Sequence, residues 1–195
     1  MDTPSTYLKD NFSRLLDLRF AYHEIMNQLQ THIEIISKEI QQTHPADFEG
    51  TFSSKQSSAN DAIEIRAKCQ LKGFQYFDNY FLGIYFSPKY SNGNRNYYVF
   101  YCYSCISVKN SMGDDDNIYK DFESHFIRSE KITRTRNQDC RYWEGWEFIL
   151  RKDDSYNTGT LVHVPATLDE IKRDLLTLDK EMFQLINSFS KSRKK

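Results

Sequence analysis

The sequence predicts an α+β domain: a five-stranded, mostly antiparallel sheet in α-β-β-β-α-β-β-α order, bracketed by long N- and C-terminal helices with heptad patterns. Three observations predict it. Leu8, Phe12, Leu15, Tyr22, Met26, Leu29, Ile33, Ile36 and Ile40 recur at alternating spacings of four and three, with only Arg19 interrupting the apolar register. Leu168, Ile171, Leu175, Leu178, Met182, Leu185 and Phe189 repeat the pattern near the other end. Between them two aromatic runs meet at Asn92-Gly93. That dipeptide supplies the positive φ angles of a type I′ hairpin turn.

The elements follow in order. Residues 1–43 hold the first helix, which spans about 50 Å from Leu8 to Ile40 at 1.5 Å per residue. Ser5 and Thr6 are its candidate caps and Pro45 lies past its end. Residues 44–61, overlapping the polar stretch Gln41–Asn60, read as a linker rich in serine (Ser53, Ser54, Ser57, Ser58), with Phe48 and Phe52 able to pin it to the body. Residues 62–165 form the aromatic-rich sheet body with one short helix. Residues 166–195 form the last helix and a basic tail.

Within the body, Ala62 to Lys72 alternates: Ile63, Ile65, Ala67, Cys69 and Leu71 against Glu64, Arg66, Lys68, Gln70 and Lys72. Such a strand buries one face and wets the other. The hairpin follows, Phe81 to Phe86 on one side and Tyr97 to Val108 on the other. Sorted by parity, the second run has Tyr98, Phe100, Cys102, Ser104, Ile106 and Val108 on one face. Tyr97, Val99, Tyr101, Tyr103, Cys105 and Ser107 share the other. Both faces are apolar enough for a central strand. The tyrosine-rich face is the one expected to stay partly open, because each hydroxyl wants water or a partner. Beyond a turn around Gly113, Ile118, Phe122 and Phe126 mark a short helix over Asn117–Arg128. Tyr142–Leu150 reads as a strand, Lys152–Gly159 as a turn and Thr160–Val164 as the last strand. Thr167 and Glu170 then make a capping box for the final helix.

Composition excludes more than it assigns. The chain has 195 residues, 39% hydrophobic and 15% aromatic, with 26 basic against 27 acidic side chains and a net charge of −1. No global field draws it to nucleic acid, membrane or acidic ligands. The start of the chain shows no signal pattern, and no apolar run is long enough to span a bilayer, so a cytoplasmic protein is expected. Its four cysteines, Cys69, Cys102, Cys105 and Cys140, then default to free thiols.

No chemical motif is complete. The seven glycines are too scattered for a phosphate-cradling loop. His23-Glu24 opens like a zinc-protease helix, but Asn27 stands where the second histidine is required. Cys102 and Cys105 lie three apart on a strand, hence on opposite faces. Asp114 to Asp116 reads as a solvated helix start. Cofactors and metals are therefore expected to be none.

The element order is similar to the type III secretion chaperone arrangement and, in its first half, to the core order of PD-(D/E)XK nucleases. The nuclease resemblance implies a metal-holding carboxylate at a strand end and an acidic-x-Lys pair on the next strand. The hairpin's second strand has no carboxylate; Asp78 and Glu64-Ile65-Arg66 are the nearest substitutes, and Glu170-Ile171-Lys172 opens a helix.

The expected function is a non-enzymatic protein-interaction or oligomerisation protein presenting an aromatic sheet surface, with a protein partner or a second copy. Its candidate interface residues are Leu29, Ile33, Ile36, Tyr101, Tyr103, Leu168, Ile171, Leu175, Leu178 and Met182. The alternative is a nucleic-acid-binding or degenerate nuclease-like protein using the basic stretch 128–141. Arg128, Lys131, Arg134, Arg136 and Arg141 would meet phosphates there and Trp143 a base. The same stretch also reads as a sheet edge guarded by charge. A secretion-chaperone-like binding module is the third reading.

Overall fold

A computed structural model describes residues 4–59, 62–91, 94–108, 121–122, 133–136, 147–155 and 167–193. Helix α1 runs Pro4–Thr43 and helix α2 runs Leu168–Ser192. Among the described residues, six strands lie between them: β1 (Phe48–Ala59), β2 (Ala62–Leu71), β3 (Phe77–Ser91), β4 (Asn94–Val108), β5 (Thr133–Arg136) and β6 (Glu147–Ser155). They form one antiparallel sheet in the order β1-β2-β3-β4-β6-β5.

The α+β class and the antiparallel pairing agree with the sequence reading; the strand inventory needs correction. Four of the five expected strands are present, as β2, β3, β4 and, shifted, β6. The fifth, Thr160–Val164, lies outside the described residues. Two strands are additional. The stretch read as a linker is β1, paired along its length with β2. Part of the basic stretch is β5, at the opposite sheet edge. An edge strand needs only a backbone ladder on one side and tolerates a polar surface, so serine and lysine did not prevent strand formation. Gly50, at φ +77°, lies in the register shift between Glu49 and Ser53, where β1 bends over the body. β6 begins at Glu147 and runs through Arg151 to Ser155, much of it expected as a turn, because each of those residues pairs with β4.

The hairpin has the expected register. Ser91 pairs with Asn94, bracketing the two turn residues, which lie outside the described set. Of the short helix expected over Asn117–Arg128, only Asp121 and Phe122 are described, and both are helical.

Both helices pack on one face of the sheet. Their contributions to the core are Met26, Ile33, Ile36 and Ile40 from α1 and Ile171, Leu175, Leu178, Met182, Phe183, Ile186 and Phe189 from α2. They meet Ile65, Ala67, Leu71, Leu82, Cys102 and Ile106 from the sheet. The alternation of β2 is as expected, with Ile65, Ala67, Cys69 and Leu71 buried. Thr167 caps α2 in extended geometry, its hydroxyl accepting the Glu170 N–H at 3.3 Å. Among the described residues, no helix is long and apolar enough to cross a membrane.

Candidate functional site

The two heptad seams are the first place to look for an interface, and the structure puts most of them inside one chain. Ile33, Ile36, Ile171, Leu175, Leu178 and Met182 are buried in the common core. Leu29 is half-buried against it, whereas Leu168 is 41% exposed at the start of α2. The helices are fastened to each other by His32 Nε2 against the Leu168 carbonyl at 2.8 Å and by Lys172 Nζ to Glu39 at 2.5 Å. Both links join α2 to the C-terminal half of α1. Among the described residues, the N-terminal half shows no such link. From Leu16 to Ile25 every described side chain is exposed, including Phe20 at 71% and Ile25 at 56%.

The tyrosine face of β4 is the second candidate, and here one expectation fails. Tyr103 is 4% exposed and its hydroxyl donates to Glu64 Oε1 at 2.5 Å. The reason is Gly83, its partner across the β3–β4 ladder. A Cβ on Gly83 would stand 2.9 Å from the Tyr103 ring and 2.3 Å from the Ile65 carbonyl, so the missing side chain is the space the ring occupies. Burial, then the Glu64 carboxylate, pushes the Tyr103 hydroxyl well above its ordinary pKa. Tyr103, Phe81 and Cys105 thus form a second small core on the face away from the helices. Arg66 lies 3.7 Å above the Phe81 ring. Tyr101 is half-buried and stacks on Tyr85 at 5.0 Å between ring centroids. Of the two proposed contact tyrosines, only Tyr101 keeps accessible surface.

The third candidate was not visible in the sequence. A chain of polar groups runs from the sheet core to a cleft between the helices. The Ser104 hydroxyl donates to the Tyr80 oxygen at 3.0 Å, and the Tyr80 hydroxyl donates to Asp179 Oδ1 at 2.7 Å. The other Asp179 oxygen faces His44 Nε2 at 3.4 Å, and His44 Nδ1 faces Asp47 at 3.5 Å. The imidazole stacks on Phe183 with centroids 3.9 Å apart. Burial raises the Asp179 carboxyl, and the Tyr80 hydrogen bond and His44 oppose that rise. Burial, followed by the Asp179 charge, raises Tyr80 well above a normal phenol. The cleft encloses about 780 Å³ and is lined by His44, Leu176, Asp179, Phe183 and the exposed Lys180 and Lys191.

Geometry limits what this chain of groups can do. A catalytic histidine needs one ring nitrogen oriented by a partner and the other free for the reacting proton. Both nitrogens of His44 already face carboxylates. The hydroxyls of Ser104 and Tyr80 belong to fully buried side chains that no substrate reaches. The arrangement therefore ties four elements together: the end of α1, the start of β3, β4 and the middle of α2.

The remaining sequence candidates are scattered. Glu64 pairs with Tyr85, whereas Asp78 lies seven residues further along β3, about 24 Å away at 3.4 Å per residue. They cannot share a metal ion. Cys102 and Cys105 face opposite sides of β4, and among the described residues no group of three or more His, Cys, Asp or Glu could hold a metal. Burial raises the Cys69 thiol, which approaches the Glu49 carbonyl at 3.5 Å. His23 and Glu24 are exposed on α1. Arg134 and Arg136 sit in β5, opposite Leu150 and Phe148. Arg128, Lys131, Arg141, Trp143 and Asp114 to Asp116 lie outside the described residues.

Compared with known protein families, with curated proteins and with solved structures, the chain matches none.

Sequence reasoning missed the His44 chain because its members are far apart along the polypeptide: Tyr80 and Asp179 are 99 residues distant. One signal was present. Asp179 interrupts the buried side of an amphipathic helix, next to Leu178 and one turn from Leu175 and Met182. A carboxylate there requires a buried donor.

Proposed function

We propose that the chain is a non-enzymatic protein-interaction protein that docks a partner along α1. The observation that carries this reading is the contrast between the two halves of one helix. From Met26 onward α1 contributes a buried residue at nearly every turn, whereas Leu16, Phe20, Tyr22 and Ile25 stand exposed. An isolated surface leucine is ordinary, but Leu16 and Phe20, four residues apart on one side of the helix, make an apolar patch of the kind partner-binding helices present, with Tyr22 and Ile25 exposed on the opposite side. Burying the surface still exposed would contribute about 1–2 kcal/mol at Phe20 or Ile25 and less at Leu16 or Tyr22.

Substitution of Leu16, Phe20 and Ile25 by Gln tests the reading, because Gln keeps helix propensity while removing the apolar surface. Light scattering should give a wild-type complex heavier than one 23.2 kDa chain and a variant that runs at one chain. The thermal midpoint should hold within about 2 °C, since exposed positions carry little folding stability. A wild type that remains one chain at high micromolar concentration and purifies alone overturns the reading. So does a complex that the triple substitution leaves intact.

A further inference from the structure

We infer that the partner of α1 is a second copy of the same chain, lying antiparallel along one open stripe of the helix. This rests on the interaction reading above and names its partner.

The stripe is defined by what flanks it. On one side α2 holds α1 through His32 and Lys172–Glu39. On the other side β1 holds it: Gln30 donates to Ser54 at 3.1 Å, Ser54 bonds Glu34, and Gln41 donates to the Gly50 carbonyl at 2.5 Å. The Ser54 and Gln30 bonds lower the Glu34 carboxyl, with a smaller contribution from Lys38 one turn away. The core lies beneath. At 100° per residue, the direction left open carries Asp17, Phe20, Glu24, Asn27, Thr31, Ile35, Lys38 and Gln42, and all eight are exposed. Phe20 and Ile35 are apolar and more than half exposed.

Charge order along the stripe selects the occupant. Its acidic residues, Asp17 and Glu24, lie in the N-terminal part and its basic one, Lys38, in the C-terminal part. Glu24 and Lys38 are each seven residues, or about two turns, from Thr31. A second α1 turned end for end about Thr31 therefore sets Glu24 opposite the other copy's Lys38, and Lys38 opposite its Glu24. Two-fold symmetry makes the contact twice, as a self-complementary interface must. Parallel pairing would instead stack Glu24 on Glu24 and Lys38 on Lys38. The antiparallel register also lays Phe20 beside Gln42 of the other copy, next to Thr43 and the mouth of the cleft. The projecting half of each helix thus lies against the body of the other chain.

Two measurements on the full chain test this. Thr31 sits on the symmetry axis, where helices about 8–10 Å apart bring facing Cα atoms to about 3.4–5.4 Å, overlapping the disulfide range. A Thr31→Cys variant should form a disulfide-linked dimer under mild oxidation. Glu24→Lys and Lys38→Glu should each weaken association about tenfold, and the double variant should recover most of it. Failure to recover, or no cross-link from a protein that is demonstrably two copies, overturns the antiparallel register. A complex containing one copy and a different protein overturns the second-copy inference and leaves the interaction reading standing. A single chain alone in solution overturns both.

Discussion

Asp179 carries the clearest energetic consequence of any single residue. It accepts the Tyr80 hydroxyl and faces His44 while almost fully buried. Its carboxyl is raised, first by burial, so the folded protein holds a proton at pH values where the unfolded chain has released it. The unfolded group titrates near 3.9. Stability contributed by Asp179 is therefore greatest at low pH. It falls as pH rises from that value through the raised folded one, and levels off above it. Asp179→Asn keeps an acceptor for Tyr80 and removes the charge, so it should flatten this component of the stability profile. Asp179→Ala leaves the Tyr80 hydroxyl without its acceptor and should cost about 1–3 kcal/mol. Denaturation midpoints across pH for wild type and both variants check this; identical slopes in wild type and the Asn variant would contradict it.

Elements show which parts of the sequence could be read and why. The two helices were legible because seams and terminators are local, and so is the cap of α2, where Thr167 and Glu170 lie three residues apart; Ser5 and Thr6, the expected caps of α1, lie instead inside a helix that starts at Pro4. The alternation of β2 and the register of the hairpin were legible for the same reason. β1 was not, because its place is fixed from outside by the Phe48 and Phe52 rings, which stand edge-on to Tyr80 at 5.6 and 6.1 Å, and by the contacts of Ser54 with α1. The parity of β4 put Tyr101 and Tyr103 on the right face. Their burial depended on which residue stood opposite, and Gly83 is visible as a partner only once the register is known. That register makes its own prediction. Gly83→Ala drives a methyl into the Ile65 carbonyl and the Tyr103 ring, and should cost about 1–3 kcal/mol or more. A melting temperature equal to wild type would mean that β2, β3 and β4 do not approach as described.

The whole molecule is a body with a protruding arm. The body is a twisted antiparallel sheet with α2 and half of α1 on one face, pinned where His44, Asp179 and Tyr80 meet. The arm is the rest of α1. A 40-residue helix is about 60 Å long, more than the packed half requires. A helix end with little tertiary packing is marginal in water, since most helical stability in proteins comes from packing, and from Leu16 to Ile25 every described side chain is exposed. Its order should depend on what it docks against. Amide hydrogen exchange of the purified chain, followed over a range of protein concentrations, tests this most directly. Residues 26–43 should exchange slowly at every concentration, because the body holds them. Residues 4–25 should exchange fast when dilute and become protected as concentration rises and copies associate. Equal, slow exchange of both halves at the lowest concentration would contradict the account, because the arm would then be stable with nothing docked upon it.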